Sequence, residues 1–310
     1  MQKTQTMRLF DWALLLFLSV LWGGSFFFSK LALSALPPFT VVFARVAISA
    51  FALFVYLRAT RQPIPTTMKI WAAFFGMGLL NNLIPFSLLF WGQTQIASGL
   101  ASILNATTPI FSIVVAHFLT TEERMTRNKV AGIVFGFMGV LVLMSSNALS
   151  SHELSLLALF ACLGAALSYG FAGVFGRRFR RMGITPATSA FGQTTATTLM
   201  MIPIVAFVDA PWHLAMPSGT IIAALLGLGL LSTALAYIIF FHILAVGGAI
   251  NSSLVTLLIP VSAIFMGRMF LGEILLINHF VGMVLIFMGL LSIDGRLFRL
   301  LGGGSAARGQ

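Results

Sequence analysis

Ten stretches of the chain are apolar over lengths near the about 20 residues that a helix needs to cross a bilayer. They are Trp12–Leu33, Pro38–Leu57, Ile70–Trp91, Ile96–Leu119, Val130–Ser146, Leu154–Gly176, Ala187–Val208, Gly219–Leu244, Gly248–Leu271 and His279–Ile293. None alternates apolar with polar residues, as the strands of a membrane barrel do. The expected fold class is therefore an all-α membrane protein with ten transmembrane helices. The last run is short, so it is expected to tilt little or to thin the bilayer locally. Lys3 and Arg8 precede the first run as a signal-peptide n-region would. That run is too long for a signal h-region, and it reads as an uncleaved anchor.

Composition closes the other routes. Hydrophobic residues form 59% of the chain and charged residues 8%, where a soluble domain carries roughly 25% charged residues. So few charges cannot cover a water-facing surface, which excludes a soluble core, a disordered chain and a coiled coil. The net charge of +11 does not imply nucleic acid, because the basic residues stand at the ends of apolar runs. The cytoplasmic leaflet holds such charges there. With the N-terminus inside, the cytoplasmic segments contain every one of the 18 Lys and Arg except Lys30, Arg45 and Arg268. Both termini are then expected in the cytoplasm, which requires an even number of spans. The single cysteine, Cys162, excludes an intramolecular disulfide and a multi-cysteine metal site. No metal or cofactor is expected.

The chain repeats itself. Pro109…Glu123-x4-Asn128-x3-Gly132-x6-Gly139 recurs as Pro260…Glu273-x4-Asn278-x3-Gly282-x6-Gly289, with one residue of slip between the prolines and the rest. Gly76-x-Gly78-Leu79-Leu80 recurs as Gly227-x-Gly229-Leu230-Leu231, and Pro38-x4-Phe43-x-Arg45 as Pro186-x4-Phe191-x-Gln193. The expected units are residues 1–150 and 151–295, followed by a cytosolic tail, 296–310. Each unit holds five spans, an odd number, so the second must enter the membrane from the opposite side. Two inverted repeats suit alternating access, because exchanging their conformations turns an inward-open form into an outward-open one.

These residues carry a family resemblance. The five-plus-five spans, Trp22-Gly23-Gly24-Ser25-Phe26, Arg45 and the Pro…Glu…Gly…Gly ending of each half resemble the EamA branch of the drug/metabolite transporter superfamily. The resemblance covers nearly the whole chain. It implies a multi-pass carrier of the bacterial inner (plasma) membrane that exports amino acids or related metabolites; within the branch, the likeness is greatest to exporters of aromatic amino acids. Gln193 stands where the first half has Arg45, which confines any role of the cation to one half.

Several side chains are candidates for the transport path. Trp22, Asn81, Asn82, Asn105 and Thr256 all fall near the centre of a ~30 Å hydrocarbon layer. The asparagines there either bond between helices or line a cavity for the polar groups of a substrate. Tyr169 and Tyr237 can face a bulky side chain or simply pack. Pro85, Pro109 and Pro260 each free a carbonyl for a substrate ammonium, or only kink a helix. Arg45 is the one clearly intramembrane cation, suited to a carboxylate or to snorkelling outward. Glu123 and Glu273 fall at helix junctions, where each either caps the next helix or gates by pairing with a basic residue. Gly132, Gly136, Gly282 and Gly289 make close-packing surfaces, against the bundle or a second subunit, so a homodimer through the terminal helix of each half is open.

None of the seven acids lies in mid-span, and His117 and His242 lie near inner helix ends. Facilitated transport is expected, with a proton exchange through His as the alternative. No zinc-binding His-Glu-x-x-His, nucleophile elbow or phosphate loop is present, so an enzyme is not expected. A carrier of phosphorylated metabolites or nucleotide sugars would need more cations in its cavity than Arg45. A membrane scaffold would need no inverted repeat.

Overall fold

The computed structural model describes residues 8–120, 125–149, 153–252 and 254–293, and all regular structure among them is helical. Eight helical stretches are long and apolar enough to cross a membrane, and two shorter apolar helices, Val255–Leu271 and Ile277–Ser292, complete the series. The helices α1 (Leu9–Leu33) and α2 (Pro38–Ala59) are unbroken. The third stretch is α3 (Met68–Gly78), a π-helical turn at Leu79–Leu83 and α4 (Ile84–Gln95). The fourth apolar run is two helices, α5 (Ser98–Asn105) and α6 (Thr108–Leu119). Pro109 lies in the first turn of α6, where its missing N–H costs nothing. Next comes α7 (Arg127–Leu149).

The second half repeats the scheme with α8 (Glu153–Arg181) and α9 (Pro186–Ile204), the latter passing into a π turn at Val205–Asp209. Then α10 (Gly219–Leu226) runs through a longer π segment, Gly227–Leu235, into α11 (Ala236–Ser252). The last two are α12 (Val255–Leu271) and α13 (Ile277–Ile293). Several expected boundaries are corrected. The first helix begins at Leu9 rather than Trp12, α8 runs to Arg181 rather than Gly176, and α11 continues through Gly247 and Gly248 to Ser252 instead of ending at Leu244, so that α12 begins at Val255 rather than Gly248. Glycine lowers helix propensity but keeps its N–H, so a glycine pair without proline does not stop a helix.

Helix packing follows an exchange rule. Helix α2 packs on α9, and α7 on α13. Helix α1 packs on α12, as α6 packs on α8; α4 packs on α8, as α11 packs on α1. Swapping the halves maps each contact onto another, or onto itself. Glycines set the closest approaches. A Cβ on Gly139 would stand 2.7 Å from the carbonyl oxygen of Gly282, and one on Gly289 would stand 2.6 Å from that of Gly132. Helices in lipid associate by close packing and polar contacts rather than by burying apolar surface from water, so small residues take these positions. The glycine faces of α7 and α13 therefore meet within one chain. Large apolar side chains such as Phe51, Leu141, Phe160 and Met269 lie exposed on the periphery.

Candidate functional site

The polar centre of the molecule grows from two of the π segments, Leu79–Leu83 and Gly227–Leu235. Repeat alignment places Asn81 and Asn82 opposite Ser232 and Thr233, and these pairs lie in Leu79–Leu83 and Gly227–Leu235 respectively. A π turn breaks the regular carbonyl ladder and is often found at functional sites. Each segment meets the second helix of the opposite half. Glycine permits that contact on both sides: a Cβ on Gly78 would stand 2.8 Å from the Gln193 carbonyl oxygen, and one on Gly229 would stand 3.2 Å from that of Arg45.

On one side the contact is neutral. Asn81 Nδ2 donates to Gln193 Oε1 at 2.9 Å and to the Tyr237 hydroxyl at 3.2 Å. Tyr237 donates to Asn82 Oδ1 at 3.3 Å, and Asn82 Nδ2 donates to Thr197 Oγ1 at 3.3 Å. The Thr197 hydroxyl reaches the Gly78 carbonyl (3.1 Å) and that of Gln193 (2.7 Å), while Ser168 donates to the Leu80 carbonyl at 2.7 Å.

On the other side the contact is charged. Arg45 is 7% exposed, and its guanidinium carbon lies 3.8 Å from the Phe86 ring centroid and 5.7 Å from that of Phe90. The ring faces offer a cation a favourable quadrupole. Nε donates to Thr233 Oγ1 at 2.9 Å, and the Thr233 hydroxyl donates to the Leu228 carbonyl at 2.8 Å. Among the described residues neither Nη atom has a hydrogen-bond partner, and no carboxylate pairs with the group. Tyr169 and Tyr237 lie within its electrostatic range.

An aromatic wall borders this centre. Trp22 contacts Phe240 at 5.2 Å between centroids, Phe240 contacts Phe241 at 5.5 Å, and Phe241 stacks on Tyr237 at 6.1 Å.

Ionised groups sit at the ends of the bundle and tie the halves together. Gly272 adopts a left-handed conformation (φ 65°) that closes α12 and turns the chain back. Glu273 then accepts from the Ser98 amide (2.7 Å), the Ser98 hydroxyl (2.9 Å) and the Gly99 amide (3.2 Å). It therefore caps α5 of the other half, a correction to the expectation that it caps the helix following it in sequence. Lys30 donates to the carbonyls of Gln93 and Ile96 (2.9 Å for the latter), which end α4. The cation at a helix C-terminus and the anion at the next N-terminus both oppose the local dipole charge. Asp209 Oδ2 accepts from the amide and hydroxyl of Thr40 at 2.6 and 2.8 Å, and Asp11 lies 3.3 Å from His242 Nε2.

The structure thus joins Asn81, Asn82 and Tyr237 by direct bonds and reaches Trp22 through ring contacts, while Arg45 bonds to Thr233 and Tyr169 follows Ser168, which donates to the Leu80 carbonyl. Asn105 and Thr256 each stand four residues before a proline, at the two helix breaks, and Asn105 Oδ1 is buried without a partner among the described residues. Glu123 lies outside the described residues. Sequence reasoning missed Thr197, Thr233 and Phe86 and treated Gln193 only as a departure. Aligning Asn81-Asn82 with Ser232-Thr233 was the available signal for Thr233.

An all-helical, multi-pass chain with a polar centre between two repeated halves is a membrane transporter, and comparison with known proteins gives its family. The model of the EamA-like transporter family matches residues 11–145 and again residues 156–293, and the chain belongs to that family. It is 30% identical over 277 residues to the uncharacterized transporter YoaV of Bacillus subtilis, covering 88% of this chain and 92% of that one. It is 27% identical over 291 residues to a protein of Salmonella typhimurium named "Probable amino-acid metabolite efflux pump", covering 90% and 93%. A crystal structure with 18% sequence identity matches with a TM-score of 0.66 over 95% of this chain and 99% of its own, which shows the same fold.

Proposed function

We propose that the protein is a secondary carrier of the bacterial inner membrane that exports amino acids, aromatic or bulky and neutral, or related metabolites by alternating access. In this reading ten helices span the bilayer as two inverted repeats, 1–150 and 151–295, with both termini and the 296–310 tail in the cytoplasm. The solute binds between the halves, beside Arg45, Asn81, Asn82, Tyr169 and Tyr237, with the Trp22 wall along its apolar part. The observation that carries this is the exchange rule. Contacts that map onto one another when the halves swap let one conformation of the pair become its mirror state at little cost.

Two further features support it. The printed name of the Salmonella relative concerns amino-acid metabolites. Asp11, Asp209 and Glu273 are engaged at helix ends and away from the centre, which supports facilitated transport over proton coupling. Pairing of two copies through the terminal helices would use the faces of α7 and α13 turned away from each other.

The test is counterflow in proteoliposomes. Radiolabelled phenylalanine is expected to exchange saturably, whereas a sugar phosphate is not, and an imposed pH gradient alone is expected to concentrate neither. Preferred exchange of the phosphate ester would favour a carrier of phosphorylated metabolites, and the absence of saturable flux for either would favour a scaffold.

A further inference from the structure

The polar centre is unequal in donors and acceptors. The carbonyls in and beside its two π segments are taken by hydroxyls: Gly78 by Thr197, Leu80 by Ser168 and Leu228 by Thr233. Gln193 Oε1 and Asn82 Oδ1 already accept from Asn81 and Tyr237. Among the described residues the side-chain acceptors left without a partner here are neutral: Asn81 Oδ1 and the hydroxyls of Ser232 and Ser49, which can also donate. On the donor side, both terminal nitrogens of Arg45 have no hydrogen-bond partner among the described residues, and the residue is only 7% exposed. Tyr169 follows Ser168, whose hydroxyl holds the Leu80 carbonyl, and among the described residues the Tyr169 hydroxyl has no hydrogen-bond partner. A planar guanidinium whose Nε is anchored on Thr233 and whose face is stacked on Phe86 presents its two free nitrogens in one fixed plane. That is the geometry that grips a carboxylate through two parallel bonds.

Leaving such a charge buried and unpaired is costly. An ammonium brought to the same place meets no anion and is repelled by the guanidinium.

We infer that this site holds its solute by a carboxylate bound to Arg45 and Tyr169, and that the preferred cargo is an apolar or aromatic monocarboxylate whose amine is absent or acylated, such as a 2-oxo acid or an N-acyl amino acid. The inference rests on the carrier reading above and narrows its substrate class. It has an energetic consequence. Over a complete uniport cycle the charges of the protein return to their starting positions, so the charge moved is that of the solute. A potential negative inside drives a monovalent anion outward, and 100 mV supports about a fifty-fold gradient at equilibrium. Export of such an acid then needs no coupled proton. A zwitterion gains nothing from the potential.

The experiment uses the full chain in proteoliposomes under a valinomycin potassium potential, with phenylpyruvate, N-acetylphenylalanine, phenylalanine and 2-phenylethylamine as labelled solutes. Expected are saturable fluxes of the two acids that follow the potential, half-saturation for phenylalanine about tenfold higher, and no flux of the amine. Tyr169→Phe keeps the ring and is expected to raise half-saturation about tenfold for every carboxylate solute, phenylalanine included. Arg45→Lys retains part of the preference for acids, and Arg45→Gln removes it. Phenylalanine carried as well as the acids, acid flux indifferent to the potential, or a Tyr169→Phe protein with unchanged half-saturation for the acids would overturn the inference. Thermal stabilisation of the detergent-solubilised protein by the same four solutes separates the two layers. Acids that stabilise selectively without any flux defeat the carrier reading and uphold the binding class. No stabilisation and no flux defeats both.

Discussion

Arg45 and Gln193 occupy equivalent places in the two halves, yet they do opposite things. Gln193 joins a neutral network through Asn81, in which Asn82, Tyr237 and Thr197 bond to one another. Among the described residues Arg45 makes one hydrogen bond, to Thr233, and leaves the rest of its donors open. The surrounding scaffold is shared: a glycine at the π segment of each half, Gly78 just before one and Gly229 within the other, admits the backbone of the opposite second helix. Shared scaffold and unshared side chain separate two requirements. In the proposed carrier the glycines and π turns serve the exchange of the halves, which must stay alike. In that reading the Arg–Gln difference serves recognition, which must be directional because the proposed solute has a carboxylate at one end and an apolar group at the other.

Removing the charge is expected to have the largest effect. Arg45→Gln should lower the rate of exchange of a carboxylate solute about hundredfold, the scale of losing a charge-assisted pair. Moving the charge sharpens the comparison: the double variant Arg45→Gln with Gln193→Arg should recover part of that loss if the two places face one common solute. No recovery would mean that the halves are alike in packing but not in access to the cavity.

Next come the shared elements. Gly78→Val and Gly229→Val each push a Cβ against a backbone carbonyl and should destabilise by about 1–3 kcal/mol, read as similar drops in melting temperature in detergent. Unequal drops would show that one crossing bears more of the packing. Glu273→Gln removes the charge that caps α5 and should cost about 1 kcal/mol, with Glu273→Asp regaining part of it in the same melt. The smallest effect is expected for Thr197→Val, which removes one hydroxyl from the neutral side and should cost about 1 kcal/mol or less while leaving exchange almost intact.

The spans and the repeat were legible because lipid imposes long apolar runs and because glycine positions recur at nearly one offset. The breaks were less so. Gly247-Gly248 reads as a stop and is helical, while the turn between Asn105 and Thr108 lies within an unbroken apolar run. Hydroxyl residues were the main loss at the site. Thr194 and Thr198 bond to carbonyls of their own helix, which is the ordinary fate of threonine in a membrane helix, whereas Thr197 also reaches Gly78 and accepts from Asn82. Nothing local in the sequence distinguishes the three; the partner helix does. Glu273 was visible as a helix-end carboxylate, but the left-handed turn at Gly272 that sends it to α5 belongs to the fold.

The threading of the two halves can be read directly. With Cys162 replaced by serine, single cysteines at Thr126, before α7, and at Ile274, between α12 and α13, occupy matching turns of the two repeats, and both positions are exposed. An impermeant maleimide applied to intact cells should label the cysteine at Ile274 and leave that at Thr126 unlabelled until the cells are opened. Equal labelling of the two from the same side would contradict inverted repeats and, with them, transport by exchange of the halves.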